Sequence, residues 1–265
     1  MKISYLGPKG TNCYEACCFY NKDNNYEMIP AKTITEAIEL LLNNNVDKAI
    51  VPIENSIKGT VLEALDNIIE NEDLFIEKEI IIDISHYLLG LKSNNVKKLY
   101  SHPQALGQCK NYIKNNLKDF EIIEMQSTAN AAEIVSSNKE GLCIANKVCS
   151  DLYNLEIIDD NIQDKSNNKT RFFVLSKNEI HNNSNIKVSI ILSTKNIPGA
   201  LYQILGLFNT FEINMTKIES RPSEKELGDY LFWIEADIDE LNEKTNVFFD
   251  ILKNKCSYFR ILGIY

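Results

Sequence analysis

What most limits the fold of this chain is a repeat: a short apolar strand, a polar tip, then a helix. Ile3-Ser4-Tyr5-Leu6 runs into Gly7-Pro8-Lys9-Gly10-Thr11 and a helical stretch over about 12–20. Ala49-Ile50-Val51-Pro52-Ile53 runs into Glu54-Asn55-Ser56, and Gly59-Thr60 then opens a helix in which Val61, Leu62, Leu65, Ile68 and Ile69 recur at helical spacing. Lys98-Leu99-Tyr100 ends in Ser101-His102-Pro103-Gln104, where Pro103 suits a first helical turn, with Leu106, Cys109, Tyr112 and Ile113 behind it. Residues 121–125 end in Gln126-Ser127-Thr128 before an alanine-rich helix, and Leu142-Cys143-Ile144-Ala145 precedes a short helix from about Asn146. A further helix falls over 35–43. Strands alternating with helices predict an α/β fold with parallel sheets, in which ligands gather beyond the carboxyl ends of the strands. Each tip alone also reads as a helix cap, since Ser, Thr and Asn are the usual capping residues. The glycine-rich first tip leaves free N–H groups that favour an anion, but it lacks the length and ending of a nucleotide P-loop.

The isoleucine-rich stretch over 76–91 predicts an extended crossing to a second lobe, and residues 156–164 bring the chain back to Thr170. The first domain is therefore expected over 1–178, with one lobe at about 1–75 plus 160–178 and the other at about 76–159. The polar run that follows predicts a linker at 179–186. From 187 to 265 the order becomes strand (188–193), helix after Asn196-Ile197-Pro198-Gly199, strand (213–220), strand (230–236), helix (240–254) and strand (258–264). That βαββαβ order predicts an α+β ferredoxin-like domain.

Charge and cysteine usage narrow the function. With a net charge of -9 the chain lacks the basic balance of a general nucleic-acid or membrane-surface binder. No export segment and no membrane-length apolar run are read, and seven cysteines without a Cys-x-x-Cys pair predict reduced thiols in the cytoplasm. Cys13, Cys17 and Cys18 read as small core residues, because the chain has only three histidines and no spaced ligand set for a metal. Arginine is rare, at 171, 221 and 260 only. In Asn168-Lys169-Thr170-Arg171-Phe172-Phe173-Val174-Leu175 a guanidinium fork able to grip a carboxylate stands beside a hydroxyl donor, which points to an acidic ligand.

Gly7-Pro8-Lys9-Gly10-Thr11, Val51-Pro52-Ile53-Glu54-Asn55-Ser56, Ser101-His102-Pro103-Gln104, Ser127-Thr128-Ala129 and Thr170-Arg171-Phe172, in this order, resemble the signature set of the prephenate dehydratase family. Gly199-Ala200-Leu201 and Glu219-Ser220-Arg221-Pro222 resemble the two phenylalanine-binding motifs of the ACT regulatory domain that follows in that family. Seven motifs in register cover essentially the whole chain. The resemblance implies a two-lobed catalytic domain similar to type II periplasmic binding proteins. It implies a lyase without cofactor or metal that converts prephenate to phenylpyruvate for L-phenylalanine biosynthesis. Feedback control by L-phenylalanine and a homodimer or homotetramer are expected with it. Because no chorismate mutase or dehydrogenase segment precedes the motifs, a monofunctional enzyme is expected.

The essential threonine of the family corresponds to Thr170. The same carry-over places Glu54, Asn55, Ser56 and His102 with the catalytic groups, and Gly10, Thr11, Gln104, Ser127, Thr128, Arg171 and Phe172 with the substrate. Asn196, Pro198, Gly199, Ala200, Leu201, Glu219, Ser220, Arg221 and Pro222 would hold phenylalanine, with Asn196 capping the helix that meets its carboxylate. Two departures stand out. Asn12-Cys13 replaces an aromatic residue and a serine, and Tyr153-Asn154-Leu155 carries asparagine where the family tends to have glycine; asparagine tolerates a left-handed backbone. The rival readings are dehydration of arogenate and a cytoplasmic ligand sensor without turnover.

Overall fold

The computed structural model of the protein describes residues 1–91, 97–178, 187–223, 229–238 and 242–265. The first alternating run is β1 (Lys2–Leu6), α1 (Asn12–Asn21), β2 (Glu27–Ala31), α2 (Ile34–Leu42), β3 (Lys48–Asn55), β4 (Gly59–Thr60), α3 (Leu62–Glu70) and β5 (Phe75–Asp83). The second is β6 (Tyr87–Gly90), β7 (Lys98–Ser101), α4 (Pro103–Gln108), α5 (Lys110–Asn116), β8 (Glu121–Glu124), α6 (Thr128–Asn138), β9 (Leu142–Ala145), α7 (Lys147–Tyr153) and β10 (Glu156–Asp159). The chain returns through β11 (Lys169–Ser176) and then forms β12 (Lys187–Thr194), α8 (Ala200–Thr210), β13 (Asn214–Pro222), β14 (Tyr230–Asp237), α9 (Glu243–Lys255) and β15 (Cys256–Ile264). Two compact units result, Met1–Asn67 with Ile80–Val174, and Ile68–Glu79 with Leu175–Tyr265.

The first run and the returning strand build a sheet in the order β2-β1-β3-β11-β5, with β4 folded back on β3; the second run builds β10-β6-β9-β7-β8. β1 runs parallel to β2 and β3, and β7 parallel to β8 and β9, as strands alternating with helices require. The crossing enters the second sheet as β6, antiparallel to β9 and β10. Central strands of such sheets are covered on both faces, so β1 and β3 bury Ile3, Tyr5, Ala49, Ile50, Val51 and Ile53 in near-continuous apolar runs. α1 is thin where it meets them, through Cys13, Ala16 and Cys17, and lies close over Ile3, Tyr5, Phe172 and Val174.

Several local expectations are corrected. The second tip does not open a helix directly: Asn55 Oδ1 accepts from the Ile57 and Lys58 amides, and Gly59, at φ 80°, lets β4 pair back on β3. The helix read behind Pro103 is two, α4 and α5, broken at Cys109. β2 is a strand that sequence periodicity misses; it is an edge containing Pro30, where alternation is weak and a missing donor is tolerated. Asn154 does take the left-handed conformation, with φ 52°, closing α7.

The second unit is a four-stranded sheet in the order β13-β14-β12-β15, with antiparallel pairs throughout, the ferredoxin-like arrangement expected. α8 and α9 cover one face with Ile204, Phe208, Phe248 and Leu252 over Val188, Ile190, Leu192 and Ile234. Arg260 on β15 donates to the carbonyls of Ile68 and Asn71, at 3.1 and 2.9 Å, and also to those of Ile69 and Leu74, fastening residues 68–74 within this unit. The expected linker at 179–186 and the first residues of the expected helix at 240–241 lie outside the described residues. Among the described residues no helix is long and apolar enough to cross a membrane.

Candidate active site

Strand tips that cap helices turn out to be the same residues that line a cavity. Thr11 Oγ1 accepts from the Tyr14 amide at 3.2 Å, His102 Nδ1 from that of Gln104 at 3.2 Å, Ser127 Oγ from that of Asn130 at 3.0 Å, and Asn146 Oδ1 from that of Cys149 at 3.3 Å. All four border one cavity of about 660 Å³ in the first unit, together with Gln104, Thr128, Asn55 and Thr170. That volume suits a small ligand. Capping and site formation are therefore not alternatives: each side chain satisfies an amide of its own helix and turns that helix N-terminus towards the hollow.

Asn55 and Thr170 meet at the ends of β3 and β11. Asn55 Nδ2 lies 2.9 Å from Thr170 Oγ1, 2.9 Å from Asn168 Oδ1 and 3.1 Å from the Lys169 carbonyl. Because Asn55 Oδ1 already accepts from two backbone amides, the atom facing Thr170 is the amide nitrogen, a pure donor. Thr170 Oγ1 must accept, which leaves its own proton for another partner. Thr170 is only 9% exposed and lines the cavity. Ser56 lies outside that lining and ties down the approach to β11, accepting from the Lys169 amide at 2.9 Å and donating to the Asn167 carbonyl at 3.2 Å.

Besides Ser56, four expected site residues are placed elsewhere. Arg171 is not directed at the hollow; its guanidinium pairs with Glu54 at 3.1 Å and lies 5.3 Å from the centroid of the Phe173 ring. Glu54 is likewise outside the lining. Phe172 is fully buried beneath α1, since it alternates with Arg171 along β11 and belongs to the core. Gly10, at φ 89°, is a packing glycine whose carbonyl accepts from Cys149 Sγ; a side chain there would meet Cys149 Sγ at 3.0 Å and Ala129 at 3.2 Å.

Other residues line the hollow without having been assigned to the substrate or catalytic set from sequence. They include His86, Gln108, Asn168, Asn146, Lys32 and Asn12. Gln108 sits one helical turn after Gln104 on α4, and His86 is one of only three histidines in the chain, signals that could have found both. His86 Nε2 lies 2.7 Å from Gln108 Oε1, and burial lowers the pKa of the ring, the bond to Gln108 opposing this. Lys58 donates to Gln104 Oε1 at 2.8 Å. Cys13 belongs to the lining as a buried thiol, with burial pushing its pKa up to about 12. Among the described residues Lys32 is the one lysine or arginine in the lining, opposite in charge to Glu133. An anion there can also use the amides at the start of α1 and α6.

In the second unit, Asn196, Gly199, Ala200 and Leu201 border a cavity of about 270 Å³ with Lys195, Tyr202, Asp229 and Tyr230. Asn196 does not cap α8. The capping position is Gly199, at φ 78° and without a side-chain bond. Pro198 and the segment Glu219, Ser220, Arg221 and Pro222 are not in that lining; the segment lies on β13, where Ser220 faces Phe232 and Pro222 faces Tyr230 across the ladder.

The family profile described as prephenate dehydratase matches residues 3–180. A prephenate dehydratase of Methanocaldococcus jannaschii is 39% identical over 270 residues, covering 99% of this chain and 97% of the relative. The solved prephenate dehydratase of Staphylococcus aureus superposes with a TM-score of 0.86 at 30% identity, covering 100% of each chain. That of Arthrobacter aurescens, solved with L-Phe, gives 0.86 at 26% identity, covering 99% of this chain and 89% of the other. With the hollow at its strand tips, the match along the first unit and near-full-length relatives, this chain belongs to the prephenate dehydratase family.

Proposed function

We propose that the hollow binds prephenate and releases phenylpyruvate, carbon dioxide and water. The bond between the ring and its carboxylate breaks, the electron pair moves through the ring, and the hydroxyl leaves from the opposite carbon. Aromaticity is gained and no other electron sink is needed. One proton must reach the leaving oxygen to make water. The observation that carries this reading is the bond polarity at Thr170: Asn55 donates to its oxygen, so the threonine proton remains for the leaving hydroxyl.

Threonine is too weak an acid to give up that proton outright. It stabilises charge on the leaving oxygen, and the proton that completes the water is taken up from solvent. His102 Nδ1 accepts from the Gln104 amide, so its neutral ring offers one N–H, on Nε2, as a hydrogen-bond donor in the hollow and not as an acid. Lys32 and the opening amides of α1 and α6 anchor the carboxylates, the task first expected of Arg171. Incubation with prephenate, followed by the ultraviolet absorbance of phenylpyruvate, tests the reading; arogenate in a parallel reaction measures preference. No phenylpyruvate from the folded protein at saturating prephenate would end it.

The cavity at Asn196 and Gly199–Leu201 is read as the seat of L-phenylalanine, supported by the same turn motif and by the L-Phe bound in the Arthrobacter aurescens relative. The segment Glu219–Pro222 joins that site only if a second copy brings it there, which fits the expected homodimer or homotetramer. A cytoplasmic setting agrees with seven cysteines that are all free thiols.

A further inference from the structure

A chain of amides leads from the turn after β3 to a buried histidine, and its direction is fixed at every link. It starts at backbone amides, which cannot be reversed: Ile57 and Lys58 donate to Asn55 Oδ1, each at 3.1 Å. Asn55 must then present Nδ2 to Asn168 Oδ1 at 2.9 Å, and Asn168 must present Nδ2 to Gln108 Oε1 at 3.3 Å. Gln108 Oε1 is therefore an acceptor. The imidazole nitrogen 2.7 Å from it, His86 Nε2, can only be a donor. So the ring carries its proton on Nε2, and Nδ1 holds a lone pair that is buried and has no hydrogen-bond partner. The ring itself is held by its backbone, whose amide donates to Gln163 Oε1 at 2.9 Å and whose carbonyl accepts from the Ile162 amide at 3.0 Å.

Gln108 lines the hollow, and both acceptor positions of its oxygen are taken, by His86 and Asn168. What it has left to offer is its NH2 group, the polarity a doubly anionic ligand needs. We propose that His86 is a positioning residue that holds the Gln108 amide oxygen through Nε2–H and so turns the Gln108 NH2 group to the substrate. Without that donor only the longer bond from Asn168 Nδ2, at 3.3 Å, holds the oxygen, and the amide more readily turns an oxygen against a carboxylate. This inference rests on the reading of the hollow as the prephenate site.

The test compares His86→Gln, which keeps a donor at the Nε2 position, with His86→Phe, which keeps only bulk. His86→Phe should raise KM for prephenate about tenfold or more, the scale of one hydrogen bond to a charged group, with a smaller change in kcat. His86→Gln should recover most of that loss. His86→Phe added to Gln108→Ala should cost nothing beyond Gln108→Ala alone. Equal KM rises in both His86 variants at unchanged Tm, or additive losses in the double variant, overturn the inference while leaving the activity standing. Nitrogen-15 chemical shifts of the His86 ring decide the matter without turnover: Nε2–H at neutral pH supports it, and a proton on Nδ1 overturns it even if prephenate proves not to be the substrate.

Discussion

Two oxygen-bearing side chains meet in the lining of the hollow, and the chemistry depends on which of them gives the proton. Threonine can donate or accept; the Asn55 amide nitrogen can only donate, and two backbone amides hold it in that orientation. Removing the hydroxyl in Thr170→Ala should lower kcat by about 100- to 1000-fold, the usual effect of deleting one donor to a developing oxyanion. Thr170→Ser should keep much of the rate, because the hydroxyl survives the loss of a methyl group. Steady-state kinetics with prephenate separate the two, and equal losses would remove Thr170 from the donor role. Asn55→Asp is the sharper variant. Its carboxylate only accepts and would draw the Thr170 proton towards itself, so it should lose more kcat than Asn55→Ala, although it is closer to asparagine in size. If Asp proves the better tolerated of the two, the direction of that bond has been misassigned.

At the scale of strands, β3 and β11 must be held in register for those side chains to meet. Arg171 and Glu54, each next in sequence to one of them, hold the two strand ends together. Their side chains are 12% and 34% exposed, so the pair lies between a surface bridge and a buried one. Arg171→Met should cost on the order of 2 kcal/mol in urea unfolding, intermediate between those two cases. It should lower kcat more than it raises KM, as expected for a group that places the reacting residues without touching substrate. A rise in KM alone would return Arg171 to carboxylate binding. Sequence could show that Arg171 is unusual, since arginine is so scarce here. It could not show the partner, because Glu54 lies 117 positions away and a fork that grips a ligand carboxylate grips a protein carboxylate equally well. The tips at Thr11, His102, Ser127 and Asn146 were legible for the opposite reason: capping is local chemistry, written within three residues of each helix start. Gln108 and His86 were harder to read because their roles come from a chain of amides assembled from three separate segments.

The molecule as a whole carries a record of its burial in its thiols. Cys13, Cys17, Cys109 and Cys149 sit on or beside α1, α4 and α7, and burial pushes each from 9.0 to about 12. In the unfolded chain the same thiols ionise near 9, so above that pH the unfolded state sheds protons that the folded state keeps. Stability from these groups is complete below pH 9 and is lost as pH rises towards 12. Each fully responding thiol contributes a slope of about 1.4 kcal/mol per pH unit, and several acting together make a steep alkaline edge. The acid side is shallower: burial lowers the pKa of His86, so the unfolded chain takes up a proton below about 6.5 that the folded chain refuses. Urea unfolding under reducing conditions from pH 5 to 10.5 should therefore give a plateau with a gentle fall on the acid side and a sharp fall above pH 9. Cys149→Ala should flatten the alkaline limb by about one proton's slope, and a thiol reagent should label Cys17, Cys109 and Cys149 in the native protein only as fast as it unfolds. An alkaline limb unchanged up to pH 10.5, or rapid native labelling of these three, would show that the helices are less closely seated on their sheets than the burial of their thiols requires.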